Sequence, residues 1–286
     1  MERSKATSPV PTVLAIALFC FVFRMVEYLF IRTDRTIIGE AFIHKAIGVV
    51  ILYAALRRLN LGWSDIGLQR RAAVRHTAYG LLLGAFTFVI AYGAELLIQA
   101  AGGQAPRLGI YLTSYAITGN RVMETSALFF AICIAGNILN VIMEEGIFRG
   151  LFVRMLEDNM SFAWAMLLAS FLFGAWHIAA PLRELVDGNM TLGTAAAFAL
   201  MQVVMTGLMG IKLCLMVKIT GSLWAGMADH FFNNFIVNIL HVVTTSGADA
   251  MQVIRLSIAQ TLSFLIVLLL YWGTGAAKKN TFRQAG

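Results

Sequence analysis

Three short patterns set ionisable or amide side chains inside otherwise apolar runs: Glu144-Glu145-Gly-Ile-Phe-Arg149, Phe173-Gly-Ala-Trp-His177 and His230-Phe-Phe-Asn-Asn234. An ionisable residue within a membrane helix costs at least about 2.5–3.5 kcal/mol on insertion scales, so each pattern marks a functional site by default. Adjacent helical residues point about 100° apart, so Glu144 and Glu145 cannot do the same job. Glu145 and Arg149 are i,i+4 neighbours and can pair on one face. That leaves Glu144 without a local cation, and an unpaired carboxylate in a low-dielectric site suits a general acid or base near neutral pH. His177 adds an imidazole, with Phe173 one turn earlier on the same face. His230 and Asn234 are again i,i+4 and aim two hydrogen-bond donors at one point, while Asn233 and Asp229 point elsewhere. Together these groups supply what amide hydrolysis needs: an activated water and donors for the oxyanion. Taken singly, each motif has a second reading. The glutamates could be solvated at a helix end, His177 could be a satisfied core residue, and His230 with Asn234 could be interhelical hydrogen-bond glue.

The elements that must position these groups are membrane helices. Of the 286 residues, 59% are hydrophobic and 13% charged, against about 45–50% apolar and about 25% charged in soluble domains. An ordinary water-soluble enzyme, a disordered chain and a nucleic-acid reader are excluded. The formal charge of +7 comes from Lys and Arg set sparsely between apolar runs, the pattern of cytoplasmic loops. About eight segments reach the length needed to cross a bilayer. They lie near 10–31, 39–57, 77–101, 125–156, 160–180, 192–217, 222–244 and 252–273. The expected fold is an all-α integral membrane protein. It is a bundle of about eight transmembrane helices in one polytopic domain over 1–286, with a polar cavity between the fourth, fifth and seventh helices. If the fourth helix runs to Leu156, the glutamates lie about 18 Å from its end, well inside the membrane.

Loop charges orient the bundle. Arg3, Lys5, Arg57, Arg58, Arg70, Arg71, Arg75, Lys278, Lys279 and Arg283 fall on one side if both termini are cytoplasmic, against Arg32 and Arg35 on the other. The first apolar stretch reads as a retained membrane helix, and the location as the cell (inner) membrane. Cys20, Cys133 and Cys214 lie far apart in apolar runs and read as buried, inert thiols. Other polar residues receive structural readings. Arg24 and Glu27 pair at i,i+3, and Glu40, His44 and Lys45 begin the second helix near the interface. Glu95, Asn137, Asn140, Gln202 and Asn238 serve as interhelical glue, Asn140 standing closest to the chemistry. The methionines of 201–216 pack in the bundle, though Met also suits adaptable grooves. Gly80 and Gly84 form a close-packing face.

The ordered set EExxxR, FxxxH and HxxxN on an eight-helix chain resembles the CPBP family of intramembrane proteases. That family holds the type II CAAX prenyl endopeptidases and bacterial relatives implicated in bacteriocin processing and immunity. The resemblance covers roughly 125–244 and includes Phe-Arg-Gly after the glutamates and Gly-Ser-Leu-Trp before the final His. It implies a glutamate-dependent endopeptidase acting on a membrane-associated protein or peptide. Glu144 corresponds to the family's catalytic glutamate and His177 to its partner in activating water. His230 and Asn234 correspond to the oxyanion hole, Glu145 and Arg149 to an orienting ion pair, with Phe173 in support. No metal or cofactor is expected. Zinc is the second option, because no HExxH is present and two histidines and a glutamate from separate helices must converge to bind it. The expected partners are the substrate and the lipid bilayer, with no nucleic acid. Two other functions compete: a non-catalytic scaffold or immunity factor, and a proton-coupled transporter with Glu144 and His177 as the relay. The complete motif set argues against the first. The lack of inverted repeats and broken helices argues against the second.

Overall fold

A computed structural model describes residues 8–36, 41–112, 123–278 and 281. Glu40 and the basic residues Arg3, Lys5, Lys279 and Arg283 lie outside the described residues. Helix α1 (Pro9–Val26) starts on Ser8, whose hydroxyl accepts the Val10 N–H, and runs into a π-helical turn at Glu27–Ile31. Pro9 suits the first helical position because its missing N–H would have had no partner there. Helices α2 (Ile43–Arg58) and α3 (Ala73–Ala101) follow. Helix α4 (Ala127–Glu144) passes without a break into a π-helical stretch, Glu145–Phe152, and a last turn, α5 (Val153–Leu156). Next come α6 (Phe162–Trp176), the short α7 (Ala179–Val186), α8 (Leu192–Thr220), α9 (Leu223–Ile239) and α10 (Gln252–Gly273).

The all-α membrane bundle therefore stands. Among the described residues, 6 helical segments are long and apolar enough to cross a membrane. Helices α2 and α9, with 16 and 17 residues, are the short members of the eight expected segments. At about 1.5 Å per residue each reaches about 25 Å, less than the hydrocarbon thickness of about 30 Å. The burial pattern is that of a protein whose solvent is lipid. Phe30, Val89, Phe171 and Trp272 are exposed, while Glu144, Glu145, Arg149, Lys212 and Arg255 are buried.

Helix α9, which carries His230 and Asn234, lies against α3. The approach is close because Gly80 has no side chain: a Cβ there would sit 2.1 Å from the Ala225 carbonyl oxygen, and one on Gly84 would meet the Phe232 ring at 2.8 Å. The small-residue face read from the sequence is thus the contact that seats α9. Gly80→Ala is expected to destabilise the protein by about 1–3 kcal/mol through overpacking. Gly93→Ala, on the same helix with nothing within 4 Å of its Cβ, should leave the melting temperature in detergent no lower. Equal melting of the two variants would show that the α3–α9 approach is not tight. Helix α6 sits similarly close to α8, where a Cβ on Gly174 would lie 2.5 Å from the Val203 carbonyl oxygen.

A small sheet was not anticipated. Strands β1 (Arg107–Ile110), β2 (Leu240–Thr244) and β3 (Gly247–Ala248) pair antiparallel in that order, with Arg107 opposite Val243 and Ile110 opposite Leu240. The seventh segment, read through to 244, therefore ends as a helix at Ile239. A short apolar run such as Leu-His-Val-Val does not reveal its period, so strand and helix end look alike in the sequence. A charged knot ties the sheet to the bundle. Arg255 binds Asp249 at 2.9 Å and Glu95 at 2.7 Å, His241 binds Asp249, and Tyr111 stacks on His241 at 4.0 Å. Glu95 is an ion-pair partner here, a stronger role than glue. Burial pushes the Asp249 carboxyl up, but the bonds from His241 and Arg255 outweigh it and hold it below the usual carboxylate range.

The expected Arg24–Glu27 pair does not form. Glu27 instead caps α2: its carboxylate takes the N–H groups of Ile43 at 2.8 Å and His44 at 2.6 Å, together with the His44 ring and the Thr33 hydroxyl. A carboxylate at a helix N-terminus satisfies free N–H groups and the helix dipole together. His44 and Lys45, at the start of α2, are buried within the protein.

Candidate active site

The glutamates sit where α4 changes from α to π winding. Every residue of Glu145–Phe152 is buried. π-Turns are rare and frequent at functional sites, because they re-aim side chains without breaking the helix. Gly146 and Gly150 let neighbouring chains close over this stretch: a Cβ on Gly146 would lie 2.4 Å from Leu52, and one on Gly150 would lie 3.1 Å from Ile66.

The two carboxylates diverge as expected. Glu144 Oε1 accepts from the Trp176 indole N–H at 3.1 Å and lies 3.8 Å from Arg24 Nη1. Its Oε2 accepts from Asn140 Nδ2 at 3.2 Å and lies 3.7 Å from His230 Nε2. Glu144 is thus not without a cation. Its partner comes from α1, more than a hundred residues away in the chain, where a search of i,i+4 neighbours cannot find it. Glu145 pairs with Arg149 at 3.1 Å, as its spacing predicts, and also accepts from His230 Nδ1 at 2.8 Å. The Arg149 guanidinium lies over the Phe173 ring at 3.8 Å.

His177 is the C-cap of α6 rather than a residue within it, since the helix ends at Trp176. Its Nδ1 faces the Phe173 carbonyl oxygen at 2.9 Å. A carbonyl only accepts, so Nδ1 carries the proton and Nε2 presents a lone pair. Phe173 packs edge-on against His177, with ring centroids 4.8 Å apart, and lies 6.2 Å from the His230 ring. The supporting position of Phe173 is therefore concrete: it spaces both imidazoles and covers Arg149.

Glu144, Phe173, His177, His230 and Asn234 line one cavity of about 760 Å³. The structure thus brings the four polar site residues read from the sequence onto one space, with Glu145 and Arg149 packed behind them. The cavity is wider than a gap between three helices. Arg24 of α1, Lys45 of α2, Arg183 of α7 and Gln260 of α10 also reach it. Met201, Met205 and Met209, expected to pack in the bundle, form part of its wall. They stand one turn apart on α8, and unbranched thioether chains make an adaptable apolar surface. Sequence reasoning missed Arg24 and Trp176 as Glu144 partners. Asn140 was flagged only by lying one turn before Glu144. Among the described residues there is no group of three or more His, Cys, Asp or Glu able to hold a metal ion.

The fold and this pocket define the class: a multi-pass membrane protein with a buried carboxylate–imidazole site opening on an internal cavity. The family model described as type II CAAX prenyl endopeptidase Rce1-like matches residues 126–236, a span that holds all three motifs. Over that span the chain is similar to the type II CAAX prenyl endopeptidases. None of the curated proteins matches the chain.

Proposed function

We propose that the protein is a glutamate-type endopeptidase that hydrolyses a peptide bond of a membrane-associated protein or peptide inside this cavity. One observation supports the reading above others: Glu144, His177, His230 and Asn234 come from three distant parts of the chain and line one cavity. Water binds between Glu144 and the Nε2 lone pair of His177. Glu144 takes a proton from the water as the oxygen attacks the carbonyl carbon. The oxyanion receives hydrogen bonds from Asn234 Nδ2 and from His230 Nε2. His230 also donates from Nδ1 to Glu145, so in this scheme its ring carries a proton on each nitrogen. Glu144 then delivers its proton to the amide nitrogen as the C–N bond breaks. The Glu145–Arg149 pair orients His230 and acts only through it. No step calls on a metal. Both termini lie on the cytoplasmic side of the cell membrane, as the basic loops direct.

The family name points to a prenylated C-terminal tail as the first substrate to try, and the methionine wall of the cavity suits an acyl or prenyl chain. The purified protein, reconstituted in liposomes, should hydrolyse a farnesylated peptide ending in Cys-aliphatic-aliphatic-X, read by mass spectrometry of the released fragment. His177→Ala should lower turnover by about 10²–10⁴-fold while leaving the protein folded. Treatment with 1,10-phenanthroline should leave turnover intact. Near-normal turnover by His177→Ala would sink the mechanism, and a chelator-induced loss reversed by zinc would replace it with the metal-dependent one.

A further inference from the structure

Helices α8, α9 and α10 enclose a buried ion pair that the reaction scheme does not use. Lys212 and Asp229 are 1% and 2% exposed, and Lys212 Nζ lies 2.6 Å from Asp229 Oδ2. An ammonium has three donors and no acceptor. Its other contacts are Ser263 Oγ at 2.9 Å and Gln260 Oε1 at 3.1 Å. From Gln260 the bonds continue toward the site. Gln260 Nε2 donates to Asn233 Oδ1 at 2.7 Å, and Asn233 Nδ2 donates to Asn234 Oδ1 at 3.1 Å.

A carboxamide can turn over and exchange its donor and acceptor ends, so an isolated asparagine is an unreliable oxyanion donor. Here the direction is imposed from one end. Lys212 can only donate, so Gln260 must turn its oxygen toward Lys212 and its NH₂ toward Asn233. Asn233 must then accept from Gln260 and donate to Asn234. Asn234 must accept through Oδ1, which leaves its NH₂ for the cavity that it lines. Turning the whole chain over would set the Gln260 NH₂ against the ammonium. The geometry points to Lys212, Gln260 and Asn233 as a relay of positioning residues that fixes Asn234 as a donor. This rests on the reading of Asn234 as an oxyanion-hole residue. Gln260 lies outside the span matched by the family, and Asn233, expected from helical spacing to point elsewhere, lines the same cavity and is the link.

The test exploits an inverted order of substitutions. Q260E is nearly isosteric and keeps an acceptor for Lys212, but it cannot donate to Asn233. Asn233 then turns to donate to the new carboxylate, offers its oxygen to Asn234, and draws the Asn234 NH₂ out of the cavity. Q260L removes the constraint without reversing it. N234A should lower kcat by about 10²–10³-fold, Q260E by about 10²-fold and Q260L by less than about tenfold, each with KM unchanged. A purely structural role for Gln260 predicts the opposite order, with Q260E the milder change, and that order would overturn the relay. A readout without substrate separates this from the hydrolytic scheme. In micelles, with ¹⁵N-asparagine labelling and N234A to assign the signals, Q260E should shift the Asn234 side-chain amide resonances. Unchanged resonances would overturn the relay whatever the protein cleaves, whereas full activity of Glu144→Gln would overturn the hydrolytic scheme and leave the relay to the resonances.

Discussion

Glu144→Gln is expected to lower the rate of the chemical step by about 10²–10⁴-fold, the range for loss of a general base, with substrate binding and melting temperature close to wild type. The surroundings of Glu144 explain why the fold should tolerate the change. The Gln carbonyl oxygen can still accept from Trp176, and the side chain keeps its volume in a site that is 3% exposed. Arg24 loses an ion partner at 3.8 Å but keeps the Tyr28 hydroxyl at 3.3 Å and the Trp176 ring at 4.6 Å. What the amide cannot do is hold the proton taken from water. Single-turnover hydrolysis in liposomes, set beside retention of the farnesylated peptide by the same variant, separates chemistry from binding. Turnover near that of wild type would remove Glu144 from the mechanism.

Glu145→Ala should act in the opposite way, on folding first. Arg149 is 0% exposed, and none of its guanidinium nitrogens has a hydrogen-bond partner among the described residues. Its charge is met by Glu145 at 3.1 Å and by the face of Phe173 at 3.8 Å. Deleting the carboxylate leaves a buried cation uncompensated, which costs about 3–5 kcal/mol. The double variant Glu145→Ala, Arg149→Met removes both charges and should recover much of that stability, because an apolar pair avoids the desolvation that the ion pair must overcome. Activity should not return with it, since His230 then lacks the acceptor that orients its ring. Unfolding in detergent measures the first effect, and the peptide assay measures the second. A single variant that melts like wild type would show that the pair does not hold this part of the core.

The placement of α7 and the sheet illustrates what a linear reading misses. Helix α7 is an eight-residue element with Pro181 inside it, too short and too polar to show a membrane period. Strand β2 looks like the end of an apolar helix until β1, more than a hundred residues earlier, pairs with it. Arg24 escaped notice for the same reason. Its nearest ionisable neighbour in sequence is Glu27, but Glu27 is occupied in capping α2. Local spacing predicts a partner only when no better one arrives from elsewhere.

Composition alone dictated a helical membrane protein, because a chain this apolar must satisfy its backbone hydrogen bonds within each segment once it leaves water. Helical spacing likewise determined the Glu145–Arg149 pair and the common face of His230 and Asn234, since i,i+4 neighbours meet wherever the helix goes. Only the packed bundle decided that Glu144 meets Arg24, Trp176 and His230, that His177 lines the same cavity, and that Lys212, Gln260 and Asn233 are bonded in a line to Asn234. These depend on side chains from helices far apart in the chain, and low-dielectric burial makes each unsatisfied donor or acceptor among them costly enough to select one arrangement.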